Sequence, residues 1–415
     1  MREDIKERFE LIKCGKVPEG YKKTKLGIIP KDWEIVRVQD ILETVDNPVE
    51  VKLDEEYTQI GIRSHGKGIF YKEPVTGKEL GNKRVFWVEP DCFVVNIVFA
   101  WERAVARTTQ KDKGMIASHR FPMYRVKSDK LNLDYAVKYF LSERGKQTME
   151  FASPGGAGRN RTMGLDRFMA SKMILPPIKV QENIVRCIDC LDKYIQLYET
   201  QIAQVKNRKK WIFQNASSLF GGQWKKTLLS EVLKERGQIK GDENLRICSV
   251  SIGKGIVDQI HHLGKSVAAE NTEKYRVVKE NDIVYTKSPT GEFPYGIVKQ
   301  HNNFKEEVAV SPLYGVFETQ SFEIGYIINE FFSYRQKANN YLHPIVQKGA
   351  KNTINITNSG FLTGEIELPQ NEEVQKRLVE VIKTANKEIE LRYKYLDLIK
   401  QEKEVIVTVL LKGIV

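Results

Sequence analysis

The sequence predicts an α+β protein in which two similar globular domains are each followed by a long helix, the two helices pairing as an antiparallel coiled coil with pseudo-two-fold symmetry. Three observations lead there. The 415-residue chain is written twice at a nearly constant offset, and each copy ends in a stretch with a 3.5-residue apolar period. The remainder reads as short apolar runs broken by Gly, Pro, Asn and Asp, the pattern of strands and turns.

The duplication is seen as a series of matches in one order. Trp33, followed by Val38, Asp40, Ile41 and Leu42, returns about 191 positions later as Trp224 with Leu229, Glu231, Val232 and Leu233. Gly66-Lys67-Gly68-Ile69 returns as Gly253-Lys254-Gly255-Ile256. Glu89-Pro90-Asp91 before an apolar run is echoed by Glu280-Asn281-Asp282 before another. Leu133-Asp134-Tyr135 with Phe140, Ser142 and Arg144 matches Ile324-Gly325-Tyr326 with Phe331, Ser333 and Arg335, and predicts one helix near the end of each domain, at about 133–150 and 324–340. Leu175-Pro176 before Val180-Gln181 matches Leu368-Pro369 before Val374-Gln375, and Pro marks a boundary because it disfavours helix at the preceding residue. These signals predict an N-terminal segment and first domain at 1–177, a central helix at 178–220, a second domain at 221–367 and a C-terminal helix at 368–415.

The helices carry the clearest period. Ile184, Ile188, Leu191, Ile195, Tyr198, Ile202, Val205, Ile212, Ala216 and Leu219 follow alternating steps of four and three, with Lys209 filling the one gap. Leu378, Ile382, Ala385, Ile389, Leu396, Ile399, Ile406 and Leu410 do the same, interrupted by Arg392 and Lys403. That is the seam of a coiled coil. Lys209 and Lys403 hold equivalent positions, so even the interruption is duplicated. Two amphipathic helices packed only on their own domains would not need so long a heptad run. About forty residues of helix make a rod of roughly 60 Å, and two unlike domains joined by such a rod suit two unlike half-sites on DNA.

Net charge of +12 and a pI near 9.2 point to an anionic partner, nucleic acid first. The charge is uneven: residues 367–415 carry nine basic and nine acidic side chains, whereas 1–177 carry 32 basic against 25 acidic. A neutral segment beside a basic one suggests protein contacts on the first and nucleic acid on the second. No run approaches the length of a spanning helix. MREDIKERFE lacks the apolar core of a secretion signal, and five cysteines suggest a reducing cytoplasm.

Catalytic motifs are missing. Gly155-Gly156-Ala157-Gly158-Arg159-Asn160-Arg161-Thr162 lacks the Gly-Lys-Ser/Thr ending of a phosphate loop. Neither an Asn-Pro-Pro-Tyr tetrapeptide nor a Gly-rich strand–turn–helix is present, so no S-adenosylmethionine site is expected. Cys187 and Cys190 form a lone pair inside the helical stretch, and zinc needs four ligands. His261 and His262 read as loop residues, and the six histidines are scattered. No catalytic, cofactor or metal residue is expected on this chain.

The opening Val17-Pro18-Glu19-Gly20-Tyr21-Lys22-Lys23-Thr24 through Leu26-Gly27-Ile28-Ile29-Pro30-Lys31-Asp32-Trp33-Glu34 resembles the start of Type I restriction–modification specificity subunits. Leu175-Pro176-Pro177 leading into Gln181 and the heptad helix, and its second copy from Leu368, resemble them too. The order domain, helix, domain, helix covers nearly the whole chain; the sixteen or so residues before Val17 stand outside it. The resemblance implies two target-recognition domains, each reading half of a split sequence in double-stranded DNA. It implies helices that act as a ruler and dock two methyltransferase subunits and, through them, restriction subunits. S-adenosylmethionine, ATP and Mg are then expected on those partners, with no cofactor here. Two other readings are a specificity subunit of a related bipartite-site restriction system and a non-specific DNA-organising protein.

The DNA contacts are expected in loops. Arg159, Asn160 and Arg161 lie in a Gly-rich loop whose second-copy counterpart carries Lys348, Lys351 and Asn352. Arg can form paired bonds to guanine or grip a phosphate. Arg63, Ser64, His65 and Lys67 precede or enter the first Gly-Lys-Gly, matched by Lys254 in the second. Asn96, Trp101 and Arg103 follow one apolar strand, and Lys287, Ser288 and Thr290 the other. A purely solvated or structural role is the alternative for each.

Overall fold

A computed structural model describes residues 3–155, 161–260, 272–348 and 354–414. It divides the chain into two compact units, Met1–Thr200 with Lys394–Val415, and Gln201–Tyr393. Each therefore holds one globular domain and a length of both long helices, Ile178–Gln214 and Glu372–Leu411.

In the first unit the run around Phe93–Val95 is apolar on both faces because it is covered on both. It is the inner strand of an antiparallel sheet ordered Val105–Arg107, Phe93–Val95, Met123–Val126, Leu42–Val45. One side carries an aromatic core in which Phe93 lies 5.2 Å from Phe140 and 6.1 Å from Phe168 between ring centroids. The other side packs Val94, Ala104 and Ala106 on Ile60 and Ile62. Glu34–Arg37 pairs with Lys172–Leu175, bringing the Trp33 and Leu175-Pro176 ends of the domain together. Ile60–Ile62 and Ile69–Tyr71 form a hairpin, and Val85–Trp87 pairs with Ile116–Ser118.

The second unit repeats this plan. Its sheet runs Val298–Gln300, Ile283–Tyr285, Gly315–Thr319, Leu233–Glu235. Trp224–Leu228 closes the domain against Glu365–Pro369. The hairpin Arg246–Ser251 with Gly255–Asp258 stands where the first unit has Ile60–Ile62 with Ile69–Tyr71. Phe361 centres the aromatic core, 4.7 Å from Tyr285 and 5.0 Å from Phe317, as Phe168 does in the other copy.

Within each unit the long helices run antiparallel and in contact. In the first, Lys403 bonds Asp192, Lys400 Nζ lies 2.7 Å from Glu199, and the Tyr198 and Tyr395 rings are 5.3 Å apart. In the second, Lys209 Nζ donates to Asn386 at 2.9 Å, Lys206 Nζ to Tyr393 at 2.6 Å, and Arg392 to Gln201 at 3.2 Å. These are the same three pairs at equivalent heptad positions. The expected seam is the buried face: Ile184, Ile188, Ile202, Val205, Leu378, Ile382, Ala385, Leu396 and Ile399 are buried, and Leu191, Ile195, Tyr198 and Ile389 partly so.

Three details differ from expectation. The single helix expected in each domain is a pair, Leu133–Leu141 with Glu143–Ala152, and Phe322–Ser333 with Arg335–Leu342. In the first pair Ser142 ends one helix and its side chain caps the next by accepting from the Gly145 amide at 3.2 Å. The first seam ends before Leu219, which is 48 % exposed. Asn215 leaves helical geometry and its side chain donates to the Trp211 carbonyl at 2.8 Å, closing the helix at Gln214. Finally, the residues before Val17 include a helix, Glu3–Lys13, whose Phe9 ring lies 5.6 Å from Lys412 Nζ. Beside it the hairpin Tyr21–Thr24 with Gly27–Pro30 holds the end of the second long helix, Tyr21 donating to the Gly413 carbonyl at 2.6 Å.

Gln181 and Gln375 explain the repeated Val-Gln after Leu-Pro. Both are buried, and each donates to its proline carbonyl, Pro176 at 2.7 Å and Pro369 at 2.8 Å, tying domain to helix. Gln181 also donates to the Lys130 carbonyl at 2.7 Å and accepts from the Asn132 amide at 2.9 Å. Gln181→Ala should therefore cost about 1–3 kcal/mol, the penalty for buried polar groups left without partners. Denaturant melts of the full chain would measure it, and an unchanged midpoint would refute that role.

Candidate nucleic-acid interface

In the first unit most of the expected residues meet at one surface. The turn of the hairpin, residues 63–68, lies against the 3-10 turn Ala100–Glu102. The His65 amide donates to the Glu102 carbonyl at 2.8 Å, the Gly66 amide to that of Arg103 at 3.2 Å, and Ser64 Oγ to the Glu102 carboxylate at 2.7 Å. His65 (φ 60°) and Arg103 (φ 61°) both hold left-handed backbone conformations at this junction. Such conformations cost about 1–3 kcal/mol each and persist only where the surroundings hold them. Arg103 Nη1 donates to the Leu141 carbonyl at 3.3 Å. The Arg63 guanidinium sits 4.7 Å from the Phe70 ring centroid. The Arg161 guanidinium sits 5.6 Å from that of Trp101, whose indole N–H donates to the Val98 carbonyl at 3.1 Å.

Arg63, His65 and Lys67 are exposed, and Ser64, Trp101, Arg103 and Arg161 are half-buried. Asn96 differs: it is buried, and its side-chain oxygen accepts from the Val98 amide at 3.1 Å, so it shapes the loop beneath the surface. Arg63, Ser64, His65 and Lys67 line a groove of about 460 Å³ together with Phe70 and Lys72. Phe70, Lys72 and Arg120 escaped the sequence reading. Arg120 is exposed in a turn joined to the 96–99 loop by the Ile97 amide donating to the Arg120 carbonyl at 3.0 Å. Only the alternation of exposed and covered residues after Gly68 could have signalled Lys72, and the pair His119-Arg120 between two strands could have signalled the turn.

In the second unit Lys254 is exposed at the equivalent hairpin turn, whose backbone is held by Asn303 donating to the Lys254 carbonyl at 2.7 Å. The loop with Lys287, Ser288 and Thr290 is its neighbour, since a Cβ at Gly291 would lie 3.3 Å from Ile252 of that turn. Lys287 is half-buried, with left-handed backbone (φ 60°). Burial holds its ammonium below the usual lysine range, Arg276 adding to the effect and Glu235 opposing it. Ser288 is exposed, and Thr290 Oγ1 donates to the Ser288 carbonyl at 3.2 Å. The Lys254 turn and the 287–290 loop carry no arginine, and the stacked guanidinium of this hairpin is Arg246 at its base, 5.4 Å from the Phe304 ring centroid.

Arg159, Asn160, Lys351 and Asn352 lie outside the described residues, as do His261 and His262. Lys348 is in the short strand Gln347–Lys348, paired with Ile354–Asn355. Cys187 and Cys190 are exposed on the first long helix. Among the described residues no group of His, Cys, Asp or Glu could hold a metal ion, and no helix is long and apolar enough to cross a membrane.

Residues 30–207 match the model of the Type I restriction modification DNA specificity domain. A Methanocaldococcus jannaschii protein named as type I restriction enzyme MjaX specificity subunit is 21 % identical over 207 residues, 46 % of this chain and 47 % of that protein, so the chain spans about half the length of the curated relative it matches. The HsdS subunit from Thermoanaerobacter tengcongensis shares the fold at a TM-score of 0.50 and 14 % identity, over 93 % of this chain and 98 % of that one. A chain from a structural study of complex assembly and conformational transition in a type I R-M system gives 0.59 and 14 % over 93 % and 99 %. The S subunit of a Type-I restriction-modification system from M. genitalium gives 0.50 and 13 % over 92 % and 96 %. These likenesses show a match to the Type I restriction modification DNA specificity domain over residues 30–207 and, over most of the chain, the fold of solved Type I specificity subunits.

Proposed function

We propose that this chain is the non-catalytic, sequence-specific DNA-binding subunit of its restriction–modification enzyme. It reads a bipartite, asymmetric duplex site, one half with each unit, and docks two methyltransferase subunits and, through them, restriction subunits. The chemistry, with its S-adenosylmethionine, ATP and Mg, belongs to those partners, in the cytoplasm. One observation carries the reading: two units of the same plan present loops at equivalent places with different side chains. The first offers Arg63, His65, Lys67, Trp101 and Arg161, and the second Lys254, Lys287, Ser288 and Thr290.

That difference suits two unlike half-sites. A guanidinium resting on an aromatic ring keeps its edge free for paired hydrogen bonds to a guanine. Lysines at exposed turns suit phosphates, which set register without reading sequence. The arginine-rich surface of the first unit therefore favours a half-site containing guanine.

Three outcomes are expected. Expressed with its methyltransferase, the chain should direct methylation to one two-part motif with a fixed gap, seen by genome-wide methylation mapping; a continuous motif, or methylation without one, would contradict the reading. The pure chain should transfer no methyl group, and native mass spectrometry should find two methyltransferase subunits per chain at saturation rather than one. Arg161→Ala should lose about 1–3 kcal/mol and relax preference in one half-site only. Lys67→Ala should weaken all sequences alike and reduce the salt slope by about 0.9. Titrations of specific and random duplexes at several salt concentrations separate the two.

A further inference from the structure

The lysines that interrupt the heptad seam are not simply tolerated. Lys209 is only 14 % exposed, and its ammonium lies 2.7 Å from the carboxylate of Glu330, which is 3 % exposed. Glu330 stands on Phe322–Ser333, a helix of the recognition domain, and also accepts from the Tyr334 hydroxyl at 2.6 Å. The same ammonium donates to Asn386 on the second long helix at 2.9 Å. Asn386 in turn donates to the Tyr326 hydroxyl, again on the recognition-domain helix, at 2.9 Å. One lysine thus ties three elements: both long helices and the domain that rides on them.

The first unit makes the same tie with other residues. Lys403, at the position equivalent to Lys209, bonds Asp192, at the position equivalent to Asn386. Lys138, on the recognition-domain helix Leu133–Leu141, reaches Asp192 at 3.2 Å and Asp189 at 2.8 Å. Here the domain supplies the cation and attaches through the aspartate. In the second unit the domain supplies the anion and attaches through the lysine. Two copies that differ in sequence and in polarity have kept one three-way junction at one level of the seam.

A polar residue in a heptad seam weakens the pairing but specifies its geometry. A buried ion pair is likewise a poor source of stability, and an apolar pair of similar size often does as well or better. What the junction supplies is direction, since three elements must align for its bonds to form. We infer that Lys209 and Lys403 are positioning residues that fix the angle of each recognition domain on the helix pair, and so the phase at which its half-site is read. This rests on the proposed reading of a split site.

The test uses the full chain with its methyltransferase on duplexes whose gap is native, one base pair shorter or one longer. One base pair moves a half-site by about 3.4 Å and turns it about 35°. Lys209→Met should lower Tm, because buried Glu330 loses the ammonium bonded to it and keeps only the more distant charge of Lys299. Lys209→Met with Glu330→Met should recover Tm yet methylate the off-length gaps within about twofold of the native one, where the unaltered chain prefers the native gap by about tenfold. Lys209→Arg should retain both properties. Lys403→Met, which leaves Asp192 paired with Lys138, should fold and loosen the preference in the same way. Recovery of both Tm and gap preference in the double variant would reduce the junction to packing and overturn the inference. No gap preference in the unaltered chain would instead remove the split-site reading, and this inference with it.

Discussion

Each globular domain completes its core on a pair of antiparallel helices, and the heptad seam that pairs them is the constraint on which the rest depends. In the first unit Ile184 and Ile188 of one long helix and Leu411 of the other belong to the same apolar cluster as Phe93 and Phe168. In the second, Phe213 of one helix and Leu378 and Ile382 of the other join the cluster around Phe317 and Phe361. Ile184 and Ile188 are the seam counterparts of Leu378 and Ile382, so one apolar stripe serves both the helix partner and the domain. Each such side chain contributes about 1.5–3 kcal/mol on burial. Loss of the pairing would expose the floor of both domains at once.

That dependence explains why the architecture was legible in the sequence and the recognition surface only partly so. Periodicity and duplication report burial, which repeats along the chain with the geometry of the element. The seam from Ile184 to Val205 and from Leu378 to Ile399, the paired Trp and Leu-Pro strands and the two Gly-Lys-Gly hairpin turns all fall where those patterns place them. Leu219 kept the spacing but lies beyond the Asn215 break, because period alone does not register a side chain that caps the backbone.

The surface is harder because its residues come from separate segments. Arg63, Trp101 and Arg161 are brought together by bonds from the hairpin turn to the Glu102 and Arg103 backbone and by ring contacts, none of which has a signature in spacing. Asn96 illustrates the cost of reading residue type alone: an amide in a basic loop looks like a base reader, yet this one is turned inward to its own loop. Lys72 and Arg120 were missed for the converse reason, since an isolated basic residue is common on any surface. The duplicated lysines fall between the two cases. Their equivalence was visible, and their partners Glu330 and Asn386, or Asp192, were not.

The central proposal is that each unit reads one half of a split site whose gap is set by the paired helices. Its most direct test is to insert one heptad into each long helix at the unit boundaries, after Thr200 and after Tyr393, leaving the contacts within each unit intact. Seven residues add about 10.5 Å of helix, close to three base pairs of duplex, and turn the second half-site by about 100°. Methylation mapping in cells that also hold the methyltransferase should give the same two half-sites with a gap longer by about three base pairs, at reduced efficiency because of that turn. The original gap with altered half-site bases would contradict the account.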